Sequence, residues 1–510
     1  MHPMAGPLRP RRGLTPGEGT GAGAALGFEE HLWGAAERLR GHVEPAEYKH
    51  VLLGLLFLRY ATDPHLASAG GSDLVVPEGA SWTALRSRVR DRDPGAELTA
   101  VIEAVERANP SLAGVVSFDA RRIGGERTAG LIEALATIPL GAADSRDVLG
   151  RVYEYFLAHF ASAEGRSGGE YYTPPSVVEL LVAMVCPRAG AVYDPCCGTA
   201  GMFVQSERLR VQRERERERE EEPNDGKPAG ALSFFGQESS PRALQIARMN
   251  LALRGLRADL GGGAADTFRD DRHAVLKADF VLANPPFNAR EWGFDALADD
   301  PRWRFGAPPR ASANYAWLQH IVSHLKRDGL AGIVLANGSL SSDQGGEAAL
   351  RQRMVDAGVV ECIVTLPPQL FYGTQIPACI WLVSPEKVAL GDAPRSGRTL
   401  FIDARARGRA IDRVHAELTA DDIAAIARAY RRWREGPETF RAIPGFAKSV
   451  SRGEIRDHRY ALVPGRYVGF ARDTERAAFE VEIAEVRRRL DDVQAASSRF
   501  CAAIEGMKRG

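Results

Sequence analysis

Hydrophobic positions follow three rhythms along this chain. From Phe28 to about residue 160 they recur at spacings of three and four. Leu32, Trp33, Ala36 and Leu39 mark one helix, and Pro45 opens a second that runs through Tyr60. Val51, Leu52, Leu55, Phe57 and Leu58 make that second helix apolar nearly all round, so it belongs in a core. Further helices are predicted around residues 98–107 and 130–157. From Gly168 the grammar changes to short apolar runs alternating with amphipathic stretches: strands at 191–194, 232–237, 277–283, 330–336, 359–366 and 378–383, with helices at 176–185, 240–253, 314–325 and from Glu347. This alternation predicts an α/β fold, a doubly wound and mostly parallel sheet. The third rhythm closes the chain. Phe479, Ile483, Val486, Leu490, Val493, Phe500 and Ile504 alternate spacings of four and three, with Ser497 in the one missing slot. Such a seam wants a facing helix, either on a partner or on this chain's own helical domain.

The predicted organisation is a leader at 1–27, an all-helical domain at 28–160, a catalytic α/β domain at 161–445 and a C-terminal helical docking region at 446–510. The leader is Gly, Pro, Ala and Arg with almost no large apolar group, and is expected to be disordered. Within 205–230 the sequence alternates Arg and Glu, which predicts a solvated, partly ordered insertion. At 510 residues with 45% apolar composition there is material for several ordinary cores. The 66 basic and 66 acidic residues cancel, so DNA contact must be local or come through a partner. Six cysteines show neither CxxC nor zinc spacing, which fits a reducing cytoplasm. No apolar run is long enough for a bilayer and no signal peptide is expected.

Chemistry concentrates where strands end. The run Asp279-Phe280-Val281-Leu282-Ala283 stops abruptly at Asn284-Pro285-Pro286-Phe287. Two prolines cannot continue a ladder and hold the chain extended, leaving the Asn284 carboxamide and the main-chain carbonyls free beside the Phe287 ring. A carboxamide oxygen, a carbonyl and an aromatic face suit a planar amine such as the N6 group of adenine. A second strand closes at Asp194 on Pro195-Cys196-Cys197-Gly198-Thr199-Ala200-Gly201, and a third at Glu238. Strand, acid, small-residue loop and helix start make a nucleoside site, and an acid at the next strand tip is placed for ribose hydroxyls. Neither GxGxxG nor GxxxxGK[ST] occurs, which weakens dinucleotide and ATP readings. Cys197 has no paired base and is expected to be a loop filler. Glu170-Tyr171-Tyr172-Thr173-Pro174-Pro175 opens a helix, as a carboxylate site or as a plain cap. Asp266 is a candidate for an adenine edge. The aromatic loop 367–377 either cradles a base or packs on the sheet.

Taken in order, these motifs resemble the modification subunit of type I restriction–modification systems. The likeness runs through Leu32-Trp33, Glu47-Tyr48-Lys49-His50, Tyr171-Tyr172-Thr173-Pro174, Asp194-Pro195, Gly198-Thr199-Ala200-Gly201, Gly236-Gln237-Glu238, Asn284-Pro285-Pro286-Phe287, Trp317-Leu318-Gln319-His320 and Pro464-Gly465-Arg466-Tyr467. The resemblance implies a DNA adenine N6-methyltransferase using S-adenosylmethionine, without a metal. It implies that Glu170 to Pro175 and Thr199 to Gly201 hold the methionine part, that Glu238 holds the ribose, that Asp194 and Gly198 line the same loop, and that Asp266 meets the cofactor adenine. Asn284, Pro285, Pro286 and Phe287 would form the catalytic motif. Implied partners are double-stranded DNA, a specificity subunit, a second copy of the chain and a restriction or translocase subunit. Two positions depart from the family pattern: Ala200 stands where many methyltransferases have Gly, and Pro175 where a basic or polar residue is common. Other classes considered are a methyltransferase for RNA or a protein amide, and a non-catalytic cofactor-binding scaffold. The stretch after Phe446 is expected to be too short for a target-recognition domain.

Overall fold

The apolar runs assemble into one sheet in the computed structural model, which describes residues 45–62, 74–114, 124–137, 173–219, 230–371, 374–385, 397–411, 413, 415–437, 439–470, 483, 486–490 and 493–494. Its strands are β1 (Gly190–Asp194), β2 (Leu232–Gly236), β3 (Ala258–Asp259), β4 (Ala278–Ala283), β5 (Leu325–Ala336), β6 (Val360–Thr365), β7 (Ala378–Val383) and β8 (Arg398–Asp403). After a ribbon of β9 (Arg409–Ala410) and β10 (Ala416–Glu417) comes β11 (Ala447–Ser451). The nine-stranded order is β11-β8-β6-β7-β5-β4-β1-β2-β3. Strands β3, β2, β1, β4 and β5 run parallel, β7 is antiparallel to both β5 and β6, and β8 is parallel to β6. The chain leaves β1 towards β2 and β3 and returns to β4 on its other side. Ligands bind outside the carboxyl ends of strands at such a reversal. Asp194, Glu238 and Asn284 follow or end those three strands on that one edge.

Every residue of β6 and β7 is buried, which is why β7 reads as a continuous apolar run and β6 as one interrupted only by buried Glu361 and Thr365. One face of the sheet is covered by α5 (Pro175–Val185), the start of α6 (Gly201–Arg219), α7 (Pro241–Ala252) and α10 (Ala420–Glu435); the other is covered by α8 (Asn314–His324) and α9 (Glu347–Asp356). Short α11 (Arg452–Asp457) follows β11. In the helical region, α1 (Pro45–Thr62) buries Val51 through Leu58 against α2 (Trp82–Arg88), α3 (Pro94–Ala108) and α4 (Gly125–Ala136). Ser81 and Asp93 cap α2 and α3 by accepting from Ala84 N and Ala96 N. Ile246, Met249 and Leu253 join that core, so α7 belongs to both regions.

The expected fold class is the one observed, with three differences in detail. Strand β5 starts at Leu325, which pairs with Ala278, and the register shifts across the polar residues 326–329 before Leu330 pairs with Phe280. The Arg–Glu stretch does not begin an insertion at 205. Phe203, Val204 and Ser206 are buried, and Arg210 bridges Glu207 and Glu214 at 2.7 and 2.9 Å, so α6 runs unbroken to Arg219. Extending a nucleated helix costs little, and these i,i+3 and i,i+4 pairs support it. Strands β8 and β11 and helices α2 and α10 were not expected. The leader, the helix from Phe28, residues 138–157, Glu170, Tyr171, Tyr172, and Phe479, Phe500 and Ile504 of the C-terminal seam lie outside the described residues.

Candidate active site

The carboxyl edge of β4 brings Asn284 to Thr173, 111 residues earlier in the chain. Asn284 Nδ2 donates to Thr173 Oγ1 at 2.8 Å. Its Oδ1 is buried and has no hydrogen-bond partner among the described residues. An orphaned buried oxygen is costly, typically about 1–3 kcal/mol, so its persistence points to a donor that arrives with a ligand. Pro285 is buried and Pro286 exposed. Phe287 is half-buried and packs edge-on against Phe371, centroids 5.5 Å apart, which joins the 367–371 loop to the motif. Beyond it the chain is closed by a pair missed in the sequence. Asn288, in a left-handed conformation at φ 55°, donates its N–H to Asn314 Oδ1 at 3.1 Å and accepts from Asn314 Nδ2 at 2.8 Å. Asn tolerates that backbone region better than most residues.

The second half of the site is the β1 loop. Asp194 is 2% exposed and accepts from Cys196 N at 3.0 Å. Burial pushes its carboxyl up to about 7, the Cys196 N–H opposes that, and nearby Glu238 adds to the rise. Gln237 N donates to Asp194 O at 3.0 Å and Cys197 N to Gln237 O at 2.9 Å, prolonging the β1–β2 pairing into the loop. Gly198, at φ 51°, gives its N–H to Glu238 Oε2 at 2.9 Å, while Glu238 Oε1 takes Ser240 N at 2.8 Å. Ser239 Oγ also donates to Oε1, at 3.3 Å, so Oε2 is the oxygen that keeps a lone pair for a hydroxyl. Ala200 is buried at φ 63°, a left-handed conformation held because Asn250 of α7 clamps Thr199 O at 2.7 Å. Side chains built at Gly198 or Gly201 would meet nothing within 4 Å, so the loop faces open space. An open, glycine-lined loop beside a pinned acid fits a nucleoside-bearing cofactor. Burial pushes the Cys197 thiol well above its ordinary range, in keeping with a loop filler.

Asp266 reaches the same edge because Ala265 N donates to Glu238 O at 2.9 Å. Its carboxylate is partly engaged, accepting from Phe268 N at 2.9 Å and Arg269 Nη1 at 2.8 Å. Fully buried Gln237 stitches the segment down through Ala265 O, Asp270 O and Arg272 N. Behind it lies a network the sequence did not disclose. Arg302 pairs with Asp300 at 2.6 Å and donates to Thr267 O and Phe268 O at 3.2 and 2.7 Å. It also faces His320 Nδ1 at 3.1 Å, and Tyr193 lies 3.4 Å from His320 Nε2. Asp271, His320 and His324 stand close enough to share an ion. However, a guanidinium can only donate, so His320 Nδ1 accepts and its proton sits on Nε2, leaving no lone pair for a metal. Burial, with His324 and Arg302 adding, keeps His320 well below its ordinary range, despite Asp271. Of the expected residues, Thr173, Pro174, Asp194, Gly198, Thr199, Ala200, Gly201, Glu238, Asp266 and Asn284 gather here. Pro175 is exposed at the first turn of α5.

Comparison with known proteins decides the family. A family model described as N-6 DNA Methylase matches residues 144–476, and one described as HsdM N-terminal domain matches 28–137. The chain belongs to the N-6 DNA methylase family. A Haemophilus influenzae relative, the type I restriction enzyme HindI methylase subunit, is 39% identical over 422 residues, covering 78% of this chain and 90% of that one. The MjaIX methylase subunit of Methanocaldococcus jannaschii is 33% identical over 508 residues, covering 91% and 88%. Among solved structures, a type I restriction–modification methyltransferase subunit from Streptococcus thermophilus superposes with a TM-score of 0.72 at 24% identity, over 86% of this chain and 99% of that one. This methylase therefore has the fold and the family that its motifs resemble. Among the described residues no helix is long and apolar enough to cross a membrane.

Proposed function

We propose that this methylase is the modification subunit of a type I restriction–modification system, transferring a methyl group from S-adenosylmethionine to N6 of an adenine flipped out of duplex DNA. The observation that carries the reading is Asn284 Oδ1 at the carboxyl edge of β4, buried and without a partner among the described residues. Adenine N6 is a weak nucleophile because its lone pair is delocalised into the ring. Accepting its two hydrogens at Asn284 Oδ1 and at the Pro285 carbonyl favours a pyramidal nitrogen with that lone pair turned outward. Phe287, backed by Phe371, offers a flat face to the extruded base, whose flipping costs about a few kcal/mol. The cofactor supplies an electrophilic methyl group, and the protein contributes orientation and electrostatics. Glu238 takes the ribose hydroxyls, the Thr199 to Gly201 loop with Glu170 to Pro175 the methionine part, and Asp266 the adenine edge.

The site on DNA is chosen by a separate specificity subunit in this reading, with two copies of the methylase and a restriction subunit as further partners in the cytoplasm. Ile483, Val486, Leu490 and Val493 are 37, 59, 61 and 68% exposed, an apolar seam free to take a partner helix. Replacing Ile483 and Leu490 with Asp places charge in that seam and is expected to abolish assembly while cofactor binding stays intact. The methylase alone should modify duplex DNA poorly, and well with its partner. Efficient sequence-specific methylation by the isolated chain refutes the division of labour, and transfer to RNA or to a protein amide refutes the substrate.

A further inference from the structure

We propose that the cleft between α10 and the 439–446 loop is a second nucleic-acid site, gripping the phosphodiester backbone of the duplex beside the flipped adenine. It rests on the DNA-methylating reading above. The cleft has a volume of about 570 Å³; Arg407, Arg428, Arg432 and Arg441 line it over Phe440 and Phe446, and no carboxylate is among its described lining residues. Helix α10 carries four arginines in the span 428–434, and the fold treats them differently. Arg434 turns inward to fully buried Glu361 at 3.2 Å. Arg428 and Arg432, four residues apart and therefore side by side, are exposed and make no ion pair with a described residue, and neither does Arg441. Like charges at that spacing repel, and nothing in the described fold relieves them. Arg407 is held in place, 4.6 Å above the Phe446 ring and 3.8 Å from Asp422. Planar guanidiniums with open donors match phosphate oxygens.

One end of the cleft, at Arg407 and Phe446, lies on the catalytic edge. Arg407 follows β8, which runs parallel to β6, and Gly408 N donates to Asp422 Oδ2 at 3.0 Å, tying this loop to the start of α10. Ala416 N donates to Gln369 O at 2.9 Å, and Phe371 in that same 367–371 loop packs on Phe287. A continuous chain of contacts thus runs from the catalytic motif to Arg407. The formal net charge of the whole chain is zero, so backbone attraction has to be built locally, and four clustered guanidiniums supply it. Phosphate contacts add duplex affinity without touching the reacting base, and this cleft provides such a handle outside the catalytic loop.

The test uses the methylase assembled with its specificity subunit, comparing wild type with the double variant Arg428→Gln/Arg432→Gln. Duplex affinity is measured by fluorescence anisotropy across a salt series, with complex mass by light scattering and methylation at saturating duplex alongside. Losing two phosphate contacts should flatten the slope of log K against log salt by about 1.8, which weakens binding about 60-fold at about 0.1 M salt and hardly at all near about 1 M. Complex mass, cofactor affinity and the rate at saturating duplex should not change. An unchanged slope overturns the proposal, and loss of assembly with an unchanged slope shows the cleft to be a protein-docking surface instead. A wild-type complex that transfers no methyl, yet whose salt slope flattens in the variant, supports the cleft and refutes only the catalytic reading.

Discussion

Thr173→Val tests whether Asn284 is aimed by its neighbour. Valine keeps the shape of threonine and removes the oxygen that accepts from Asn284 Nδ2 at 2.8 Å. The carboxamide then has no reason to keep Nδ2 inward, and the end-for-end flip that presents nitrogen to the substrate becomes competitive. Leaving a buried amide N–H unpaired costs about 1–3 kcal/mol, all of it charged against the productive orientation. About 1.4 kcal/mol is one factor of ten, so the single-turnover rate should fall about ten-fold, within a range of five- to a hundred-fold. Cofactor affinity should stay within about a factor of two, because the hydroxyl acts through Asn284. Thr173→Ser should recover most of the rate. In an Asn284→Ala background, itself expected to lose about 10²–10³ in rate, Thr173→Val should cost nothing more. Rapid-quench single-turnover assays of the assembled complex give all four rates, and titration calorimetry gives the affinities. A Thr173→Val enzyme with the wild-type rate, or one whose loss lies entirely in cofactor affinity, refutes the positioning role; the latter would place Thr173 on the cofactor instead.

Glu238→Ala removes the acceptor for the ribose and also frees Gly198 N, so cofactor affinity should drop by about 1.5–3 kcal/mol per lost bond; unchanged affinity by calorimetry overturns the assignment. Phe287→Leu should weaken methylation more than Phe287→Tyr, since stacking needs a ring and is worth about 1–3 kcal/mol per base, and equal losses would indicate packing on Phe371 instead. Asp194 carries a pH signature. In the unfolded chain its carboxyl ionises near 3.8 and in the folded protein near 7, so between those values the native state holds the extra proton. Its contribution is fully present below about 4 and is lost as pH rises through about 7. Asp194→Asn keeps an acceptor for Cys196 N without that liability. Its melting temperature should match wild type near pH 4 and exceed it increasingly up to about pH 7, even as function declines. A difference constant across pH contradicts the assignment of the buried acid.

What the sequence disclosed was whatever a single stretch could encode. Strands β4, β6 and β7 are mainly apolar runs with abrupt ends, so their type and limits are readable, and α5 and α8 announce themselves by period. Strand β8 has only Leu400, Phe401 and Ile402 as apolar residues between Arg398 and Asp403, and β11 is the largely polar Ala447-Lys448-Ser449-Val450-Ser451. Pairing with each other and with β6 makes them strands, and that is tertiary information. Helix α10 does carry a local signal, the Thr419–Asp422 capping box ahead of Ile426, Tyr430 and Trp433. The site divides the same way. Asn284, Glu238 and the Gly198 to Gly201 loop are strand-end features with their chemistry written locally. The Thr173–Asn284 bond spans 111 residues, and the Arg302–His320–Tyr193 network spans 127 between Tyr193 and His320, beyond the reach of any local pattern.

The most direct test of the central claim separates binding from chemistry at one atom. Wild type and Asn284→Ala, each assembled with the specificity subunit, are given S-adenosylmethionine and duplex DNA under single-turnover conditions, and the digested product is analysed by mass spectrometry. Wild type should yield N6-methyladenine. Asn284→Ala should bind cofactor within about a factor of three of wild type and form the product about 10²–10³ more slowly. A variant that methylates within about three-fold of wild type, or a wild-type product carrying its methyl on any other atom, would contradict the account.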